Sequence, residues 1–413
     1  MSQTDYDIVI VGGGLVGASL ACALGDQDIR IAVIEAAPFD AIDQPSFDAR
    51  TVALAEVSQV IFNSLGLWQA IEELGVTPIH QIHISDRKHS GLTHLDRAEQ
   101  GVAALGYVVE TRILGKVLGQ RMLSLDTVDY LCPASVESVS FSQHEARVSI
   151  KAGEQDKVLT TQLVVAADGG RSVVRQQTGV KSWHMGYGQT AVIANVATDQ
   201  PHGNVAYERF TDTGPMALLP TTHPDLPDSM YALVWTVKEQ KRDELMALDD
   251  EAFLTRLQQR FGPRAGRFIK ASQRHAYPLA MSLAREHVRH RLAFIGNAAH
   301  TMHPVAGQGF NLGLRDVASL AQVLVDGLKK NTDPGDLELL QSYAKWRRKD
   351  HLQSMGFTDG LVRLFSSRFA PLILARNVGL LALDVLPGLK QRVTRQAMGY
   401  VGKMTRLARG LRL

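Results

Sequence analysis

The spacing of apolar positions divides the chain into stretches of different period. Tyr6–Val11, Arg30–Ile34, Leu163–Ala167 and Leu292–Ile295 are short and apolar nearly throughout, which predicts buried strands. Ala18–Leu24 is rich in small residues and reads as a helix between the first two. Leu314, Val317, Ala318, Ala321, Leu324 and Leu328 recur at helical spacing and predict an amphipathic helix after the late strand. Val136–Phe141, Ala146–Ile150 and Val158–Ala167 alternate in the manner of strands. Residues 180–280 change character. Glycines and the aromatics Trp183, Tyr187, Tyr207, Phe210, Tyr231 and Trp235 punctuate short β-like runs there, such as Ala191–Val196 and Met230–Val237. That pattern predicts an antiparallel sheet inserted into a nucleotide-binding domain. After Asn331-Thr-Asp-Pro-Gly335 the chain reads as mostly helical to its end.

A length of 413 residues suggests two or three domains, and 45% hydrophobic with 21% charged residues suits a packed soluble protein. The two cysteines, Cys22 and Cys132, are far apart, which points to a reducing compartment and no disulfide framework. Residues 1–7 lack the basic start of a secretion signal. The nearest approach to a membrane span, Pro371–Leu386, is interrupted by Arg376, Asn377 and Asp384. These features predict a cytoplasmic protein. The net charge of +2 conceals an asymmetry: Leu361–Leu413 holds ten Lys and Arg against one acid, Asp384, a local net of +9 that leaves −7 for the other 360 residues. Basic residues interleaved with Leu, Val, Phe and Met suit a peripheral contact with a membrane surface or a partner protein. Nucleic acid is not expected, since no stacking motif accompanies the charge. His83, His89 and His94 do not have the spacing of a zinc site, so no metal is expected.

The strongest chemical signals are glycine-rich turns between strand and helix. Gly12-Gly-Gly-Leu-Val-Gly17 follows the first strand and opens the first helix, and Glu35 ends the next strand 18 residues past Gly17. This is the dinucleotide fingerprint in its required context. Gly12 allows the tight turn, Gly14 lets a pyrophosphate approach the helix N-terminus, Gly17 lets helix and strand pack closely, and Glu35 can accept from a ribose hydroxyl. Asp168-Gly169 ends another strand in an acid and a glycine turn. A second strand–turn–helix unit runs from Phe294 to Asp316 through Gly296, Asn297, Pro304, Gly307, Gly309 and Asn311. Unpaired N–H groups converge in such a unit, so it is an anion site. A plain NAD dehydrogenase is disfavoured, because the chain has one Gly-x-Gly-x-x-Gly and no second nucleotide-binding βαβ unit.

In order and spacing, Gly12–Gly17, Asp168-Gly169 and Gly296–Gly309 resemble the motifs of the class A flavoprotein aromatic hydroxylases, which share the p-hydroxybenzoate hydroxylase fold. The resemblance covers nearly the whole chain. Ile84–Gly91, Ala191–Val196, Glu208–Thr211, Gly214–Pro220 and His303–Gly313 are further similar to the ubiquinone-biosynthesis hydroxylases, most of all the prenyl-methoxyphenol branch. The common family motif has Asp where this chain has Asn297, a change that keeps an acceptor and loses a charge. The same branch carries Asn there.

The resemblance implies an α/β fold: a Rossmann-like FAD-binding domain (1–75, 101–179 and 275–345), an inserted antiparallel-sheet substrate domain (76–100 and 180–274) and a basic helical C-terminal region (346–413). It implies FAD as cofactor and NAD(P)H, either NADH or NADPH, as co-substrate. The activity it implies is hydroxylation by O2 of a prenylated phenol such as 2-octaprenyl-6-methoxyphenol, through a flavin C4a-hydroperoxide. Gly12, Gly14, Gly17 and Glu35 would hold the ADP half of FAD. Arg50 and Arg112 would lie near flavin and pyrophosphate, and Asp168-Gly169 would support the cofactor. Gly296-Asn297 would reach the ribityl and pyrophosphate region, and Pro304 through Asn311, with Gly307 and Gly309, would line the reacting ring. Tyr207, Arg209, His300 and His303 are candidates for a partner of the phenol, Tyr207 and Arg209 lying on one face of a strand. The alternatives are a flavin-binding scaffold subunit without catalysis, or another flavin enzyme on this fold such as a prenyl reductase.

Overall fold

Ile8 and Ile10 leave one face of their strand, Val9 and Val11 the other, and all four are buried at 5% exposure or less. A strand buried on both faces needs layers on both sides. The computed structural model describes residues 4–37, 51–87, 89, 91–223, 225–302, 307–366 and 369–413. In it Tyr6–Val11 lies at the centre of a sheet, parallel to Ile31–Ile34 on one side and Gln155–Ala166 on the other. Val128–Leu131 and Leu292–Phe294 extend the sheet in parallel at its two sides. Ile8 and Ile10 join a core with the helices Leu15–Leu24, Thr111–Leu123 and Gln308–Leu328. Val9 and Val11 join a second core, closed by the antiparallel strands Ser135–Phe141 and Ala146–Ala152. This is the Rossmann-like domain.

The inserted sheet has nine strands. Its path runs from His300–Thr301 through His275–Ala284, Ser182–Thr198, Met230–Lys238, Gly214–Thr221 and Val205–Thr211 to Gln81–Asp86 and Leu92–Asp96. All pairings are antiparallel except that of Val205–Thr211 with Gln81–Asp86. One face is covered by the helix Asp250–Phe261 through Phe253, Leu257 and Phe261. The other faces the nucleotide-binding domain. Two domain boundaries expected from the sequence shift. His275–Ala284, read as part of the FAD-binding domain, pairs along its length with Ser182–Thr198 in the inserted sheet. Thr77–Ile79, read as part of the substrate domain, pairs instead in a small sheet with Gly106–Glu110, beside Thr51–Ala55. Short apolar runs specify a strand but not its partner.

The C-terminal region forms the helices Leu337–Ser366, Ala370–Val385 and Pro387–Ala397. The first lies against both Gln308–Leu328 and the inserted sheet, and the second lies over Leu92–Asp96. Its basic charge is partly used in docking rather than displayed. Arg376 is buried and pairs with Asp86 at 2.8 Å, Lys390 with Glu99 at 2.8 Å and Arg406 with Asp326 at 2.5 Å. Among the described residues no single helix is long and apolar enough to cross a membrane. Pro371–Val385 and Pro387–Ala397 have the composition together but bend by 98°.

The Arg376–Asp86 pair joins the tail to the inserted sheet, and Arg376 also donates to the Leu364 and Phe365 carbonyls. Asp86→Ala leaves a buried guanidinium without its carboxylate, which costs about 3–5 kcal/mol. Urea unfolding measures this. A loss of only about 0–1 kcal/mol, as for a surface pair, would show that the tail docks by other means.

Candidate active site

The turn after Tyr6–Val11 is built by exclusion of side chains. Gly12 has φ +103°, and a Cβ there would stand 2.7 Å from the Ala167 carbonyl. A Cβ on Gly17 would stand 1.9 Å from the Gly12 oxygen, so only glycine lets the helix start against its own strand. Gly14 caps Leu15–Leu24 with no side-chain hydrogen bond and faces open space. The helix therefore presents unpaired N–H groups and its positive end to a cleft. Glu35 accepts from the Gly13 N–H at 2.7 Å and holds the turn from the adjacent strand.

A second helix start faces the same cleft. Gly307, at φ +62°, caps Gln308–Leu328, and Gly309 again faces open space. Glycine is needed at Gly307, where the φ is left-handed and a Cβ would meet Ala53 at 2.8 Å. Val16 is the seam between the two units: Cβ atoms on Gly296 and Gly313 would stand 3.0 and 3.1 Å from its methyl groups. Asn311 is a clamp. Its Oδ1 accepts from the Ala55 N–H at 2.8 Å and the Ser58 hydroxyl at 2.7 Å, and its Nδ2 donates to the Ala53 and Gly307 carbonyls at 2.8 Å. With its amide engaged on both sides it holds Gly307 in place, so the side chain expected at the cofactor serves to position the turn.

The resulting cleft, about 530 Å³, brings together Gly14, Gly169, and Asn297 with Gly307 and Gly309, from three distant segments. Gly296 is buried beneath it while Asn297 faces it, so the pair expected as one unit divides into support and lining. The opposite wall is the inserted sheet, through Ile193, Glu208, Ala217 and Val234. Asp168 lies inside the 168–174 turn. One oxygen accepts from the Val174 N–H at 3.2 Å, the other is buried with no hydrogen-bond partner, and burial raises its pKa. Arg112 stays outside the cleft lining, paired with Glu110 at 2.5 Å. Arg50, His303 and Pro304 lie outside the described residues.

Strand alternation decides the candidates on the inserted sheet. Tyr207 and Arg209 turn toward Asp250–Phe261. The Tyr207 ring lies 5.7 Å from that of Phe261 and its hydroxyl donates to the Arg264 carbonyl, while Arg209 lies 6.0 Å over Phe261. Tyr207 only borders the neighbouring apolar chamber. Glu208, between them, is the residue that faces the cleft. The same period-two rule that paired Tyr207 with Arg209 could have found it, had the packed face been known.

His300 is also structural. Its Nε2 lies 2.6 Å from Asp316, which further accepts from Arg347 Nε and His351 Nε2 at 2.7 Å and from the Gly296 N–H at 3.1 Å. His300, Asp316 and His351 could by proximity hold a metal, their donor atoms lying within 4.8 Å of one another, but hydrogen bonds and Arg347 already engage the carboxylate. His83 and His94, separated in sequence, meet across their strands with ring centroids 4.3 Å apart. Burial would push the Asp316 carboxyl up, but His351, His300 and Arg347 outweigh it and hold the carboxyl well below the usual range.

Burial lowers His351 to about 3 and His287 to about 4 from an ordinary 6.5. Both folded values lie below the unfolded one, so as pH falls the unfolded chain takes up protons first. Stability is retained above 6.5 and lost toward the folded values, at about 1 kcal/mol per pH unit for each histidine. Melting temperature against pH tests this: His351→Gln should flatten the fall between neutral pH and about 4. An unchanged slope would remove His351 as a source.

The cleft fits a dinucleotide with a planar head. Two helix N-termini face it with no side-chain cap, and Gly14 and Gly309 leave room where a Cβ would intrude on a ligand. The chain matches a family model described as an FAD-binding domain over residues 5–356. It is 38% identical over 411 residues to the ubiquinone hydroxylase UbiL of Rhodospirillum rubrum, covering 98% of this chain and 93% of that protein. It is 31% identical over 402 residues to the 3-demethoxyubiquinol 3-hydroxylase of Escherichia coli, covering 97% of this chain and 100% of that protein. In fold it is similar to p-nitrophenol 4-monooxygenase PnpA from Pseudomonas putida, with a TM-score of 0.76 at 20% identity, covering 95% and 98% of the two chains. The split cleft, the family match and these full-length relatives agree: the chain belongs to the FAD-dependent aromatic hydroxylases, in the family of the ubiquinone-biosynthesis monooxygenases.

Proposed function

We propose that this protein hydroxylates the aromatic ring of a prenylated phenol such as 2-octaprenyl-6-methoxyphenol, with NADH or NADPH as reductant and O2 as oxidant. The observation that carries this reading is a chamber of about 230 Å³ walled almost wholly by hydrocarbon, which shares Ala53, Glu208 and Leu219 with the cleft. Its floor comes from Ile82, Ile84 and Ala206 of the inserted sheet, and its roof from Phe357, Leu361 and Phe365, Leu380 and Leu383, and Val393 and Ala397 of the three C-terminal helices. Each methylene withdrawn from water contributes about 0.8 kcal/mol, so the chamber favours a ring with an apolar tail over a bare phenol.

Bound flavin supplies the reducing equivalents and the activation of oxygen. The chain's own residues orient and protect. The helix starts at Gly14 and Gly307 offer N–H groups to negative charge on the cofactor. Ile193, Ala217 and Val234 face it from the inserted sheet and keep water out.

An octaprenyl chain is longer than the chamber, so its far end leaves beneath the roof. The outer face of Ala370–Val385 carries Leu374, Val378, Leu381 and Val385, exposed at 67%, 56%, 46% and 74%. Arg392 and Arg395 stand exposed on the next helix. We read this face as the contact with an anionic lipid surface from which the substrate enters.

Two experiments test the reading. The purified holoprotein, reduced anaerobically by NADH or NADPH and then given O2, should add one oxygen atom to a prenylated phenol. Ala397→Phe should raise KM about 10-fold for a long-chain phenol and leave an unprenylated one unchanged. Peroxide formation without product, or an equal change for both phenols, counts against it. In the second, flotation with phosphatidylglycerol vesicles should be lost in Leu374→Glu/Val378→Glu. Retained flotation assigns membrane contact elsewhere, and dimerisation abolished by these changes assigns the face to a second copy.

A further inference from the structure

Glu208 occupies an unusual place in the wall between cleft and chamber. Ile193, Val234, Ala217, Glu208 and Ile84 are register neighbours across the inserted sheet, and the other four are hydrocarbon. Ala206 and Phe210, two residues away on either side, share its face and line the chamber. Among the described residues, Glu208 is the only acidic or basic side chain lining either cavity, and it lines both. A carboxylate in such a wall costs desolvation free energy. A phenol whose tail lies in the chamber and whose ring lies in the cleft must cross the seam beside it.

We propose that Glu208 accepts the hydrogen bond of the substrate's phenolic hydroxyl and takes its proton during hydroxylation. The inference rests on the prenylated-phenol reading and adds the group that activates the ring. The phenolic O–H bond breaks, the proton passes to a Glu208 carboxylate oxygen, and the bonding pair stays on the phenolate oxygen. Delocalised onto the ortho and para carbons, that pair makes the ring a stronger nucleophile toward the oxygen atom that O2 delivers through the reduced flavin. Once the new C–O bond forms, the hydrogen on that carbon leaves as a proton, the ring regains aromaticity and Glu208 returns its proton to the phenolic oxygen. The second atom of O2 leaves as water, and the two electrons come from NAD(P)H. Tyr207 and Arg209 cannot share this role, because their side chains are engaged on the far face of the sheet.

The test compares wild-type holoprotein with Glu208→Gln and Glu208→Asp, using a short-chain prenylated phenol. Single-turnover hydroxylation should fall about 100-fold in Glu208→Gln and less in Glu208→Asp. The ultraviolet phenolate band should appear on binding to the wild type below the pH at which the free phenol ionises, and be absent with Glu208→Gln. Flavin content and melting temperature report folding. Hydroxylation by Glu208→Gln close to the wild-type rate, or an unaltered phenolate band, overturns the proposal. Flavin loss with a lowered melting temperature in both variants also overturns it, by assigning Glu208 a structural role. A wild type that hydroxylates no phenol overturns this proposal and the functional reading together, whereas an active wild type with an unimpaired Glu208→Gln overturns this one alone.

Discussion

Asp316 is a fully buried carboxylate, and the architecture of the site depends on how its charge is met. Four donors surround it: the Gly296 N–H beneath the cleft, His300 on the short strand after it, and Arg347 and His351 on the long C-terminal helix. Losing one donor would leave charge uncompensated in a region of low dielectric, so the set holds together or fails together. Arg347 also pairs with Asp350, to which Arg315 is joined at 3.3 Å. One cluster therefore fixes the cofactor turn, the helix whose N-terminus faces the cofactor and the helix that roofs the chamber.

The roof makes the C-terminal region part of the site rather than an appendage. The tail carries +9 and the body −7, and part of that opposition is resolved at contacts such as Arg376 with Asp86 and Lys390 with Glu99. Helices held this way close an apolar chamber against the inserted sheet while keeping an outer apolar face. Leu380 and Leu383 look into the chamber, while Leu374 and Val378 on the same helix look outward. At Ala370–Val385 the roof is thus one helix thick between the chamber and the surroundings.

Much was legible in the residues because it depends on local chemistry. The Gly12–Gly17 turn, the capping glycines and the late strand–turn–helix unit follow from steric rules that act within a few residues, and Gly14, Gly169, Asn297, Gly307 and Gly309 meet in one cleft. Asn311 looked like a ligand because polar residues in a glycine-rich turn do, whereas its amide is engaged by segments distant in sequence, and His300 Nε2 is engaged by Asp316. Tyr207 and Arg209 misled because alternation tells which residues share a face but not which face meets the cofactor.

By itself the sequence determined the fold class, the glycine turns that meet in one cleft and the family, since these rest on period, glycine placement and motif order. Only the tertiary structure decided that Glu208 faces the cleft, that Asp316 joins three elements and that the basic tail roofs an apolar chamber. The physical reason is that burial and pairing are properties of two surfaces brought together. A strand or helix carries its own period, but the partner that covers each face comes from residues elsewhere in the chain.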